Sequence, residues 1–85
     1  MQDEVLQVAR LLACPARLAA LRAVGERALD VTEVADAVGI SLSTASRHLS
    51  LLRDAGMVRV RRSGRRRIYG LARRRWFVAM ESPPQ

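Results

Sequence analysis

Apolar residues along this chain recur in two rhythms, helical over its first part and alternating later on. Val5, Leu6, Val8, Ala9, Leu12 and Ala13 fall at helical spacing, which predicts a first helix from Met1 to about Cys14. Its apolar surface is broader than packing on one neighbour requires, so a second subunit is expected to cover part of it. Pro15 suits the first turn of a helix, where its absent N–H is not missed, and a second helix is expected over Ala16 to about Val24. Gly25 is expected to end that helix. Glu26 to Asp30 then reads as a short link, with Leu29 packing inward.

The stretch from Val31 to Ala55 parses as two short helices around a tight turn. Thr32 to Val38 places Val34, Ala35 and Val38 on one face. Gly39 is the residue type that closes a helix in the left-handed conformation, and Ile40 fills the corner. Ser41 is a good N-cap for a second helix running from Leu42 to about Ala55. Ala45, Leu49 and Leu52 share a narrow arc of that helix, with Leu42 and His48 on its edges. The opposite arc holds Ser43, Arg47, Ser50 and Asp54, flanked by Thr44 and Ser46. Small hydroxyls and one Arg near a helix N-terminus suit a DNA major groove, because small side chains permit close approach and Arg can make two hydrogen bonds to guanine. An amphipathic hairpin in any small helical protein has the same pattern, so the chain beyond Ala55 has to separate the two readings.

Met57 to Arg62 alternates apolar and basic residues, a strand pattern. Ser63-Gly64 reads as a tight turn and Arg65 to Leu71 as the returning strand. Arg61, Arg62, Arg65, Arg66 and Arg67 then surround the hairpin tip with no acid nearby. A hairpin directly after a recognition helix is a wing, and an arginine-rich tip can reach the DNA backbone or minor groove. Arg73 to Glu81 reads as a short last helix with Trp76, Phe77 and Met80 on its apolar side. The expected architecture is mainly α with a two-stranded β wing, a winged helix-turn-helix in the order α-α-α-α-β-β-α. It occupies residues 1–82, with 83–85 as a tail.

Composition sharpens this picture. A chain of 85 residues with 49% hydrophobic content is one small domain, of a size at which a dimer interface usefully extends the core. The net charge is +7. Residues 1–46 hold four Arg against six acidic residues, a net −2, whereas residues 47–85 hold eleven Arg against two, a net +9. A polyanion is the partner that such polarity suits. No apolar run approaches the ~18 residues of a membrane span, and the N-terminus lacks the features of a signal peptide. The lone Cys14 excludes an internal disulfide and fits a cytoplasmic location. No Ser–His–acid arrangement, paired acidic pocket or phosphate loop suggests an enzyme.

The segments ACPARLAAL, LDVTEVADAVGISLSTASRHLSLLRDAGMV and RRSGRRRIYGL, in this order, resemble the ArsR family of bacterial winged-helix repressors. The resemblance covers about residues 5–75 and is most specific from Ser41 through the wing. It implies a homodimer, joined by its first and last helices, that binds a palindromic operator in double-stranded DNA and is released by an inducer. The family's base-reading positions match Ser43, Thr44, Ser46, Arg47 and His48, with Ser41 as the cap and the five wing arginines beside them. The dimer residues would be Val5, Leu6, Val8, Ala9, Leu12, Trp76, Phe77 and Met80.

Where many members carry a metal-binding Cys-x-Cys pair, this chain has Asp30 and Thr32, which offer no soft thiolate. Where others use Asp and His on the last helix, it has Glu81 and no His. No metal and no cofactor are therefore expected, and the effector is not legible. Cys14 stands where the family usually has Asp. It reads first as a small buried apolar residue and second as a redox-sensing thiol. Two rival functions use the same features: a sequence-indifferent or architectural nucleic-acid binder, and a winged-helix protein-interaction module.

Overall fold

The computed structural model describes residues 2–72, with side chains from Val5 onward. The expected last helix, with Trp76, Phe77, Met80 and Glu81, lies outside the described residues, as does the tail. The elements are α1 (Gln2–Leu11), α2 (Pro15–Glu26), β1 (Leu29–Asp30), α3 (Val31–Val38), α4 (Leu42–Asp54), β2 (Val58–Ser63) and β3 (Arg66–Leu71). This is the expected order up to the wing, with one added strand.

α1 stops three residues earlier than the sequence suggests. Leu12 N–H still bonds back to Val8 C=O at 3.0 Å, but Ala13 N–H turns to Arg10 C=O at 3.2 Å, tightening the end of the helix. α2 begins on Pro15 and runs through Gly25 to Glu26. A helical glycine costs about 1 kcal/mol relative to alanine, which the packing of fully buried Ala20 and Val24 on the same helix outweighs.

The link after α2 contains a strand. Leu29 and Asp30 pair antiparallel with Tyr69 and Ile68, which makes a three-stranded sheet in the order β1-β3-β2. Leu29 packs inward as expected and is buried. The turn between β2 and β3 is shifted by one residue from the expected Ser63-Gly64. Ser63 pairs with Arg66, leaving Gly64 and Arg65 as a two-residue loop. Gly64 has φ 66° and Arg65 a negative φ, the pattern of a type II′ hairpin turn with glycine at its first central position.

One aliphatic core joins all the layers. Ala20 and Val24 from α2, Leu29 from β1, Val34 and Ala35 from α3, and Ala45, Leu49 and Leu52 from α4 pack with Val58 and Tyr69 of the hairpin. α4 is thereby held on its inner side along its whole length, which leaves its other side for a partner.

Asp30 ties the sheet to the helices. As N-cap of α3 it accepts a hydrogen bond from Glu33 N–H at 2.8 Å, while Glu33 accepts one from Asp30 N–H at 2.9 Å, a reciprocal capping box. The Glu33 N–H, followed by the Arg66 guanidinium, holds the Asp30 carboxyl below its ordinary pKa of 3.8. Replacing Asp30 by alanine is expected to cost about 1 kcal/mol at pH 7. A depressed folded pKa means that this stability is fully present above pH 3.8 and is lost as the pH falls through the lower folded value. Chemical denaturation at about pH 7 and about pH 3 checks both statements: Asp30→Ala lowers stability at neutral pH and weakens its dependence on acid. Equal stability of the two proteins at neutral pH would contradict the role of the cap.

Candidate nucleic-acid interface

Two local devices place the start of α4. Gly39 takes φ 79°, the left-handed conformation that a side chain disfavours, and its N–H closes α3 onto Ala35 C=O. Ser41 then caps α4, its Oγ accepting from Thr44 N–H at 3.1 Å. The same hydroxyl donates to Thr44 Oγ1 at 2.8 Å and lies 3.4 Å from Ser43 Oγ. These bonds fix three hydroxyls in one small network at the helix N-terminus, where the backbone N–H groups also favour an anion.

Ser41, Ser43, Ser46 and Arg47 are exposed, while Thr44 is half-buried. Ser43, Ser46, Arg47 and half-buried Ser50 stand at positions i, i+3, i+4 and i+7, so they line one face. Leu42, which the spacing set at the edge of the core arc, is 53% exposed beside them. It adds an apolar contact to the polar face, of the kind a thymine methyl accepts. Its exposure depends on how α4 tilts, which spacing alone does not give.

His48 does not join this face. It is buried, and Arg17 of α2 donates from Nε to its Nδ1 at 3.3 Å. The expected contact of His48 with DNA is therefore corrected: the imidazole packs under α4 because the edge of the arc turns inward against α2. Burial first, then the charges of Arg17 and Arg47, hold its pKa below the ordinary 6.5, so it is neutral at physiological pH.

The wing arginines do not form one cluster. Cross-strand partners share a face of the pleat, so Val58, Val60, Arg62, Arg67, Tyr69 and Leu71 lie on the side that packs against the helices. Arg59, Arg61, Ser63, Arg66, Ile68 and Gly70 lie on the other. On the helix side the hairpin turns from apolar to cationic where it outruns the core, and Arg62 directly faces Arg67. Like charges directly opposite repel, an arrangement that an anion between them relieves.

Arg66 is not free of acids, contrary to the sequence expectation for the tip. Its Nε and Nη2 both donate to Asp30 Oδ2, at 3.0 and 2.8 Å, and Nη2 reaches Glu33 Oε1 at 3.3 Å. It fastens the turn end of the wing, where β3 begins, to the start of α3, across 36 residues of sequence. Arg61, Arg62, Arg65 and Arg67 are exposed.

On α1, Val5 is 68% and Leu6 51% exposed, Ala9 is exposed, and Val8 and Leu12 are half-buried, with Leu12 touching the core. Cys14 is half-buried rather than buried, at the N-cap of α2 with no side-chain cap bond. Among the described residues, no three His, Cys, Asp or Glu side chains gather closely enough to hold a metal ion. No described helix is long and apolar enough to cross a membrane.

Residues 14–60 match the family model described as bacterial regulatory protein, arsR family. The chain is 42% identical over 72 residues to the HTH-type transcriptional regulator Rv0324 of Mycobacterium tuberculosis, covering 82% of this chain and 31% of that protein. It is 39% identical over 67 residues to the HTH-type transcriptional regulator KmtR of the same organism, covering 79% of this chain and 52% of that one. Thus the chain spans only about a third to a half of these relatives. Among solved structures it is similar to the homodimeric winged helix-turn-helix DNA-binding domain of Mb0332 from Mycobacterium bovis. The TM-score is 0.78 at 33% identity, over 93% of this chain and 72% of that one.

Proposed function

The chain belongs to the arsR family of bacterial regulatory proteins, and from that premise we propose that it is a dimeric repressor that binds operator DNA through α4 and the wing. The observation that carries this reading is the division of α4 into a buried side and an open one. Ala45, Leu49 and Leu52 are wholly buried, while Ser43, Ser46 and Arg47 stand exposed beyond a fixed cap. Arg47 is the candidate for guanine, Ser43, Thr44, Ser46 and Leu42 for neighbouring base edges and backbone, and Arg61, Arg62, Arg65 and Arg67 for phosphate. Arg66 acts by holding the turn end of the wing against the start of α3.

The exposed Val5, Leu6 and Ala9 of α1 are the proposed dimer surface, completed by Trp76, Phe77 and Met80. Two such subunits would set their α4 helices one DNA turn apart, about 34 Å. The protein would act by binding and not by catalysis. Asp30 and Thr32, in the place of the family's cysteine pair, do not fit a thiophilic metal: Asp30 is engaged by Glu33 N–H and Arg66, and neither residue has a thiol.

Replacing Arg47 by alanine is expected to cost about 1–3 kcal/mol of preference for the operator over random duplex. Fluorescence anisotropy with both duplexes at one salt concentration measures it, after the bound sites have been mapped across the genome. An equal loss on every sequence would favour the sequence-indifferent reading instead.

A further inference from the structure

Arg17 makes contacts that the recognition surface does not explain. Its Nε donates to His48 Nδ1 at 3.3 Å, and its Nη1 donates to the C=O of Leu11, the last residue of α1, at 2.9 Å. One side chain of α2 thus joins the end of α1 to the middle of α4. His48 is the one polar or charged residue that is buried among those described. It immediately follows Arg47, so its seat against α2 sets the rotation at which Arg47 leaves the helix. The charged groups that act on it are Arg17 from α2 and Arg47 from α4 itself; none comes from α3 or β2.

We propose that Arg17 is a positioning residue for base reading, holding α4 to α1 through a neutral His48, and that a proton on His48 releases this hold. The inference rests on the DNA-binding reading above. In the neutral ring, the Nδ1 lone pair accepts from the Arg17 guanidinium. A protonated imidazole has no lone pair to offer, because both ring nitrogens become donors. The proton would also place a third positive charge beside two arginines in a poorly solvated site. The bond breaks, and Arg17 keeps only its contact with Leu11.

The sign of the effect separates this device from plain electrostatics. Acidification makes a basic protein more positive, which strengthens its grip on phosphate. Loss of the Arg17–His48 bond does the reverse, and only for the sequence that Arg47 must meet in register. Affinity for the operator is therefore expected to fall as the pH drops from about 7.5 through the lowered pKa of His48, by about fivefold or more once the ring is fully protonated, the lower end of ordinary coupling between two binding events. Affinity for a random duplex holds or rises over the same range.

The test measures both affinities across that range for the wild type, His48→Gln and Arg17→Gln. Glutamine at position 48 can still accept from Arg17 but does not titrate, so its operator profile no longer falls with acid. Arg17→Gln lowers operator affinity at the alkaline end of the range and flattens its profile. A second measurement uses the wild-type protein alone. His48 is the only histidine in the chain, so its imidazole NMR signals need no assignment. They should titrate below pH 6.5, and lower still with operator bound, as linkage requires.

Binding to no DNA at any pH would overturn the functional reading itself. Operator binding that follows the random duplex through the pH range, or a His48 midpoint that operator does not move, would overturn the role of Arg17 and leave that reading standing.

Discussion

Truncating Leu49 to alanine should unfold this protein at temperatures where the wild type is intact. Leu49 is fully buried at the centre of α4, inside the cluster shared by α2, α3 and the hairpin. Removing its branched end leaves a cavity within that cluster. Such a substitution costs about 2–5 kcal/mol, against the roughly 5–15 kcal/mol that holds a domain together. In a domain of this size the melting temperature should drop by on the order of 10–30 °C. Circular dichroism melts at one fixed protein concentration measure the drop, because dimerisation would make the midpoint depend on concentration. Leu49→Met is the control and should cost under about 1.5 kcal/mol. A melt of Leu49→Ala within a few degrees of wild type would mean that α4 is not seated as described.

The second large effect falls on binding and spares the fold. Arg62 and Arg67 face each other across the hairpin, on its helix side and beyond the last core residues. In the free protein they repel, so replacing both with alanine should leave the melting temperature unchanged or slightly raised. On DNA each is proposed to displace one counterion from a phosphate. Losing both should flatten the dependence of log affinity on log salt by about 1.8 per protomer. If affinity extrapolated to about 1 M salt is unaffected, that corresponds at about 0.15 M to roughly thirtyfold weaker binding per protomer, or on the order of a thousandfold for the dimer. The loss should be the same for operator and random duplex, since phosphates carry no sequence information. An unchanged slope, or a loss confined to the operator, would show that the two arginines do not meet the backbone.

The helix-turn-helix was legible in the sequence because its determinants are local. Gly39, Ser41 and the arc of Ala45, Leu49 and Leu52 act within a few residues of themselves, and the structure places all of them as their chemistry suggests. β1 was not legible. Two residues have no periodicity, and Leu29 and Asp30 are extended because Tyr69 and Ile68 pair with them from far along the chain. The same distance hid the acids that engage Arg66. His48 illustrates a third limit: at the edge of an arc, spacing permits either side, and the packing of α2 decides. The turn moved by one residue because glycine is needed at the first central position of the loop, not the second.

The strand order has an effect on neighbouring molecules. With β3 in the middle, β2 is left with an unpaired edge among the described strands, a row of N–H and C=O groups open to another chain. Its residues run Val58, Arg59, Val60, Arg61, Arg62, Ser63. Two copies meeting there would bring arginine against arginine, so the charge keeps this edge from polymerising. A polyanion removes that protection. Crowded along nucleic acid in excess of specific sites, the molecules would lose the repulsion that keeps them apart in free solution.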